Sequence, residues 1–123
     1  MSVQLLKPTS KFHDELATRA LQLAALGSET RLSLFRLLVV AGEQGMMTGL
    51  ISARLALAGS TLNHHLATLE TAGLIERIRE GRNIRCRVLS AQMDHLIKYL
   101  TRNCCCEANC PHGTELKSTK SKV

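Results

Sequence analysis

Gly59-Ser-Thr-Leu-Asn-His-His-Leu-Ala-Thr-Leu-Glu-Thr-Ala-Gly73 decides how the rest of the chain must be read. Leu62, Leu66 and Leu69 recur at three- and four-residue spacing, which predicts an amphipathic helix from about Thr61 to Ala72. Ser60 is its expected N-cap. Gly73 is its expected stop, because glycine takes the left-handed conformation that closes a helix. Away from the leucines stand Ser60, Thr61, His64, Thr68 and Thr71, with Asn63 beside them. Hydroxyls, an imidazole and an amide, none formally charged, suit the donor and acceptor pattern of base edges in a major groove.

Upstream, Ala58-Gly59-Ser60 separates this helix from a shorter one that starts near Thr48 and carries Leu50, Ile51 and Leu55. Two short helices across a glycine-containing break make a helix-turn-helix. Before them, Phe12, Leu16, Ala20, Leu23 and Ala24 predict a first helix from about His13 to Leu26, stopped by Gly27. Ser28 then caps a second helix whose expected core face is Leu32, Phe35, Leu38 and Val39. Residues 42–45 form a turn.

Downstream, Leu74 to Arg79 and Ile84 to Leu89 are short β-like runs joined by Glu80-Gly-Arg-Asn83, a hairpin pattern. Ile84, Cys86 and Val88 alternate with Arg85 and Arg87, so one face of the second strand is apolar and the other cationic. The hairpin holds Arg77, Arg79, Arg82, Arg85 and Arg87 against Glu76 and Glu80. The fold expected is therefore mostly α with a small β-hairpin, a winged helix-turn-helix. Its second short helix enters double-stranded DNA and its wing, through Arg79, Arg82 and Arg85, meets phosphates or the minor groove.

From Ser90 a last helix carries Met93, Leu96, Ile97 and Leu100 through about Asn103. A domain of this size cannot cover both this stripe and that of the first helix. A two-fold homodimer through the N- and C-terminal helices is the expected solution. The 123 residues divide into a loose segment 1–12, a domain over 13–110 and a flexible basic tail over 111–123. The formal charge of +6 points to an acidic partner, although Lys117, Lys120 and Lys122 supply part of it. No basic region followed by a long apolar stretch occurs, so the expectation is a cytoplasmic protein without membrane contact.

Four of the five cysteines lie within seven residues, Asn-Cys104-Cys105-Cys106-Glu-Ala-Asn-Cys110, followed by Pro111 and His112. In a reducing compartment this odd, crowded set reads as a soft-metal or redox site rather than a disulfide framework. Three thiolates can hold As(III) or Sb(III) in a pyramid with the lone pair in the fourth direction. Neighbouring helical residues diverge by about 100°, so adjacent cysteines converge on one ion only where the backbone leaves the helix. Pro111, which disfavours helix at Cys110, is consistent with that. A zinc tetrahedron from Cys106, Cys110, His112 and one of Cys104 or Cys105 is an alternative. So is a thiol-redox regulator, with Lys98 and Arg102 favouring thiolate. A cysteine tail with no catalytic partner at defined spacing argues against an enzyme.

Ala25-Leu-Gly-Ser-Glu-Thr-Arg-Leu32, Ser60-Thr-Leu-Asn-His-His-Leu66, Leu69-Glu-Thr-Ala-Gly-Leu-Ile75 and Arg79-Glu-Gly-Arg82, in this order, resemble the ArsR/SmtB family of metalloid- and metal-responsive repressors. The resemblance spans about Leu16 to Cys110. It implies a dimeric repressor that leaves its operator when an ion binds. Gly59 stands where many relatives carry Gln, so a contact made there elsewhere is not carried over. The E-L-C-V-C-D-L site of many arsenic sensors is missing, since that region reads Met46-Met-Thr-Gly-Leu-Ile51. The paired zinc motif on the last helix is missing too, with only adjacent Asp94-His95 present.

A subset of proteobacterial arsenic repressors ends the last helix in Asn-Cys-Cys and supplies a third cysteine shortly after. That similarity implies Cys104, Cys105 and Cys110 as As(III) ligands, with Cys106 as the alternate. Cys86, on the inward wing face, reads as a small buried hydrophobe. Its lesser role is to assist a cysteine pair in holding methylarsenite. His64 faces the DNA side, and His65 is expected to pack beside Leu66 and bond the backbone.

Overall fold

The computed structural model describes residues 10–103, with side chains from Asp14 onward. Helix α1 spans Ser10–Leu26, so it begins three residues before the expected start at His13. Gly27 and Ser28 link it to α2, Glu29–Ala41. Ser28 is extended and its Oγ accepts from the Arg31 amide at 3.3 Å, while Glu29 places a carboxylate at the positive end of the helix dipole. Gly42 closes α2 at φ 75°, with its amide on the Leu38 and Val39 carbonyls. A short 3-10 turn, Gly42–Gln44, follows.

Strand β1, Met46–Met47, leads into α3, Thr48–Leu55. The turn after α3 is latched by one residue. Ser52 accepts the Ala56 and Leu57 amides on its carbonyl and donates its hydroxyl to the Leu57 carbonyl, which holds Ala56 in the left-handed region at φ 55°. Helix α4, Gly59–Thr71, then starts one residue before the expected Ser60 cap. Ala58 is the N-cap, without a side-chain bond, and its carbonyl takes the Leu62 amide at 2.8 Å. Because the latch closes the turn early, Ser60 lies inside the first helical turn and its hydroxyl is left for other partners. At the far end Gly73, at φ 80°, turns the chain as expected, with its amide on Glu70 and that of Leu74 on Leu69.

Strands β2, Ile75–Glu80, and β3, Asn83–Val88, pair antiparallel around Gly81-Arg82, with Gly81 at φ 64°. The wing has a third strand, where residue pattern suggests only a turn and a helix start. β1 pairs with β3, Met46 opposite Cys86, giving the order β1-β3-β2. Helix α5, Ser90–Thr101, ends two residues before the expected Asn103, because Arg102 is extended and Asn103 takes φ 62°.

Leu34, Leu38, Ile51, Leu62, Leu66, Leu69, Leu74, Ile75 and Cys86 are fully enclosed or nearly so and fill the space between the helix-turn-helix and the wing. Leu32, expected inside, is 46% exposed, and Leu50 on α3 is 45% exposed. Leu32 lies about 60°, 120° and 160° round its helix from Phe35, Leu38 and Leu34, and Leu50 about 100° from Ile51. In α1 the distribution is inverted: Arg19, Gln22 and Ala25 are buried, whereas Leu16 and Leu23 are half exposed. On α5 Leu96 is buried and Ile97 and Leu100 stand out at 52% and 56%. Among the described residues of one copy, the apolar positions Leu16 and Leu23 of α1 and Ile97 and Leu100 of α5 thus stay half exposed.

Candidate nucleic-acid interface and effector site

Helix α4 is anchored by Leu62, Leu66 and Leu69, and this fixes which residues face outward. Ser60, Thr61, Asn63, His64 and Thr71 are exposed, and Thr68 is half-buried with its hydroxyl donating to the His64 carbonyl at 3.1 Å. Thr68 therefore offers lone pairs outward but not its proton. Ser60, Thr61, Asn63 and His64 lie in the N-terminal half of the helix, the part that reaches base edges when a helix enters a groove end-first.

His65 does not bond the backbone as expected. Arg31 donates from Nη1 to its Nδ1 at 3.4 Å and from Nε to the Ala25 carbonyl at 2.6 Å. An arginine only donates, so Nδ1 must be the unprotonated nitrogen. Partial burial, then the Arg31 charge, pushes the His65 pKa down. Arg31 thus ties α1, α2 and α4 together, a role not foreseen from the sequence. Its position in the Ala25 to Leu32 motif was the available signal.

The five wing arginines divide into two groups. Arg77 gives both Nε and Nη2 to Glu70 Oε1, at 2.9 and 2.7 Å, and so fastens β2 to α4. Arg87 is paired with Glu76 directly across the strand pair. Arg85, an expected phosphate contact, forks onto Glu80 at 2.9 and 3.1 Å and onto the Gln44 carbonyl at 2.9 Å. The hydrogen bond between Glu80 and Arg85 pulls the carboxyl below its usual range and raises the guanidinium. Arg79 and Arg82 are exposed and, among the described residues, form no hydrogen bond or ion pair. The cationic character available to a polyanion is therefore concentrated at the tip of the wing.

Cys104, Cys105, Cys106 and Cys110, and His112 with them, lie outside the described residues. Among the described residues no cluster of His, Cys, Asp and Glu is arranged to hold a metal. Cys86 is a free thiol, wholly buried at the centre of the wing sheet, and burial pushes its pKa up to about 11. At neutral pH it stays protonated, which suits the packing role and not that of a soft-ion ligand. No described helix is long and apolar enough to cross a membrane.

Residues 26–78 match a helix-turn-helix domain family. No curated protein matches the chain significantly. Among solved structures, the chain is similar to an ArsR-like transcriptional regulator from a Rhodococcus species, at 27% identity and a TM-score of 0.64, covering 89% of this chain and 92% of that one. It is also similar to reduced HlyU from Vibrio cholerae, at 27% identity and TM-score 0.59, over 77% of this chain and 97% of that one. A homodimeric winged helix-turn-helix DNA-binding domain from Mycobacterium bovis, a possible ArsR-family regulator, shares the fold at 21% identity and TM-score 0.56, over 77% and 85%.

Proposed function

The chain has the winged helix-turn-helix fold of the ArsR-type regulators, and on that premise we propose that it is a dimeric repressor released from operator DNA by As(III). The DNA-binding part of this reading is carried by one observation. An uncharged hydrogen-bonding face on α4 stands in the same unit as a wing tip whose Arg79 and Arg82 have no internal counter-charge among the described residues. The helix face specifies bases, and the tip arginines bind phosphate.

Dimerisation is supported by the uncovered stripes. Leu16, Leu23, Ile97 and Leu100 keep between 43% and 56% of their surface exposed. Covering the remainder contributes roughly 1 kcal/mol per side chain, or about 8 kcal/mol for four residues from each copy. That is of the same order as the ~4–15 kcal/mol cost of association, so the dimer needs this surface. Two α4 helices related by a two-fold axis would read a two-fold site.

The effector reading rests on the donor set. Cys104, Cys105 and Cys110 supply three soft thiolates, with Cys106 as a substitute, and trivalent arsenic takes three sulfurs and no more. Sb(III) has the same demand, and methylarsenite needs only two thiolates. Titrating arsenite into DNA-bound protein tests the proposal. Release at one equivalent per site, abolished when Cys104, Cys105 and Cys110 are replaced by Ser, is the expected result. Unchanged DNA affinity at saturating arsenite rejects it.

A thiol-redox regulator is the second reading, favoured by the likeness to reduced HlyU. Burial and a raised pKa make Cys86 a poor thiolate at neutral pH, so this reading too turns on the clustered thiols. It requires release by peroxide, reversed by dithiothreitol, with arsenite absent. A resident zinc ion in place of either would appear in elemental analysis of protein purified without chelator.

A further inference from the structure

Three polar side chains meet where α1, α4 and α5 converge, in a place where hydrocarbon would be expected. Gln22 is completely buried and Arg19 is 8% exposed. Gln22 Nε2 donates to the Ala72 carbonyl, the C-cap of α4, at 3.2 Å and to Gln92 Oε1 of α5 at 3.2 Å. Arg19 Nη1 donates to Gln22 Oε1 at 3.1 Å and to Gln92 Oε1 at 3.3 Å. Arg19 Nη2 reaches Glu15 Oε2 at 3.5 Å, and Glu15 Oε1 in turn accepts from Arg102 at 3.2 Å. A continuous polar chain therefore runs from the end of α4 to Arg102, two residues before Cys104.

Burying an amide and a guanidinium is costly unless their bonds are made, and well-packed apolar residues are often no less stable. Gln22 has both kinds of partner, two acceptors for its amide and a donor for its oxygen. Arg19 is one bond short, since its buried Nε has no partner among the described residues. Such a knot differs from an apolar contact in one respect that matters here. The leucines of α4 fix its depth in the core but tolerate small slides and rotations, whereas a hydrogen bond loses its strength once angle and length change. The knot is directional and it sits at the C-terminal end of the helix.

We propose that Gln22 is a positioning residue for DNA recognition, holding the end of α4 at a set angle to α1 and α5, and that Arg19 and Glu15 carry displacement of Arg102 to it. The inference rests on the reading of α4 as the recognition helix and of the segment after Arg102 as the effector end. It adds the joint between them. On that reading, displacement of Arg102 passes through the Arg102–Glu15 and Glu15–Arg19 bonds to Gln22, and the Ala72 carbonyl loses its fixed donor. Reciprocity requires that DNA, by holding α4 in place, weakens ion binding by the same factor.

The test uses the full chain, a duplex selected by it from a random pool, and a random duplex of equal length. Gln22→Met removes the donor and keeps the side-chain length. Gln22→Glu keeps an acceptor for Arg19 while removing the donor to Ala72. Both variants, folded by circular dichroism, are expected to lose about tenfold in preference for the selected duplex, within the range of recognition contacts. Their affinity for the random duplex and its salt dependence should hold within about twofold, which a general loss of fold would not allow. Should Gln22→Met fail to fold, Gln22→Glu decides.

Glu15→Gln, at the outer end of the chain, should bind DNA normally and bind arsenite normally but lose about fivefold of the weakening that arsenite produces. Wild-type preference in both Gln22 variants, or full arsenite release in Glu15→Gln, overturns the proposal. A wild-type chain that ignores arsenite refutes the effector reading instead and leaves the positioning role to stand or fall on the duplex preference. A wild-type chain with no duplex preference overturns both.

Discussion

Arg85 and Glu80 form a forked pair at the base of the wing turn, Nε to Oε2 at 2.9 Å and Nη2 to Oε1 at 3.1 Å. The pair withdraws from DNA a cation that a bare count of wing arginines would include. Arg79 and Arg82, which adjoin the strand ends at Glu80 and Asn83, remain available. Arg82→Ala should therefore weaken DNA binding and flatten the slope of log affinity against log salt by about 1 for each phosphate that the arginine no longer neutralises. Glu80→Gln should act in the opposite direction. Removing the carboxylate frees Arg85, and affinity at low salt should rise while the slope steepens. Anisotropy titrations across a salt series check both signs, and a Glu80→Gln chain that binds more weakly than wild type contradicts the assignment.

Glu80 also gives the wing a pH limit. Its folded-state pKa lies below the ordinary carboxyl value because Arg85 bonds the ionised form. The tie is thus present above the usual carboxyl range and is lost as the pH falls through the folded-state value. Acid titration followed by exchange of the wing amides should show the Gly81-Arg82 turn loosening before the helices do.

Gly45 is a place where no side chain fits. Its φ is 67°, and a Cβ there would stand 2.1 Å from the Cys86 carbonyl oxygen and 2.8 Å from Arg87 Cβ. The clash is chiefly with backbone, where β1 joins β3, so the partner strand cannot swing aside. Gly45→Ala should cost about 3 kcal/mol in urea unfolding, at the severe end for one substitution. Gly49→Ala, inside α3 with open space at its Cβ, should be neutral or stabilise by up to about 1 kcal/mol. Equal effects at the two positions would show that β1 is not held against the wing.

How far the residues disclose this arrangement depends on how local each determinant is. The three leucines of α4, the Ser28 cap and the positive-φ glycines at 73 and 81 act within one turn of chain, and each is legible as spacing or residue type. Strand β1 has two residues, too few for alternation to show, and it exists because β3 offers a free edge. The Ser60 cap fails because Ser52, eight residues earlier, closes the turn first. Periodicity in α1 reveals a stripe but not its destination. The polar residues Arg19 and Gln22 face the chain's own interior, since their partners, Gln92 and the Ala72 carbonyl, come from far along the sequence. Which arginines are free is set by cross-strand register, Glu76 opposite Arg87, and by Glu70 reaching across from α4. The clustered cysteines are conspicuous in the sequence, and they lie outside the described residues.

Cys86 predicts an alkaline limit to stability. Its thiol ionises at about 11 in the folded chain against 9.0 for an ordinary thiol, because burial disfavours the thiolate. The raised value means that the contribution is complete below the ordinary pKa and is lost as the pH climbs toward the folded value. Unfolding midpoints should fall between these limits in wild type and fall less in Cys86→Ala, after allowance for the smaller core side chain. Native protein at about pH 8, below the ordinary thiol value, should modify Cys86 with iodoacetamide far more slowly than the tail thiols. Fast labelling of Cys86 would revive it as a ligand.

The half-exposed Leu16, Leu23, Ile97 and Leu100 give the final prediction, because it separates assembly from folding. None of the four belongs to the enclosed core of Leu34, Ile51, Leu66 and their neighbours, so a charge at Leu100 leaves that core intact. In a dimer built on these stripes, however, Leu100→Glu buries a carboxylate in an apolar seam, where its desolvation opposes association. Sedimentation velocity should show wild type as a dimer and Leu100→Glu as a folded monomer with an unchanged helical spectrum. Its affinity for the selected duplex should fall at least about a hundredfold, since one half-site carries only part of the recognition free energy. A monomer that kept wild-type DNA affinity would mean that a single copy reads its site, and a dimer that survived the substitution would place the interface on another face.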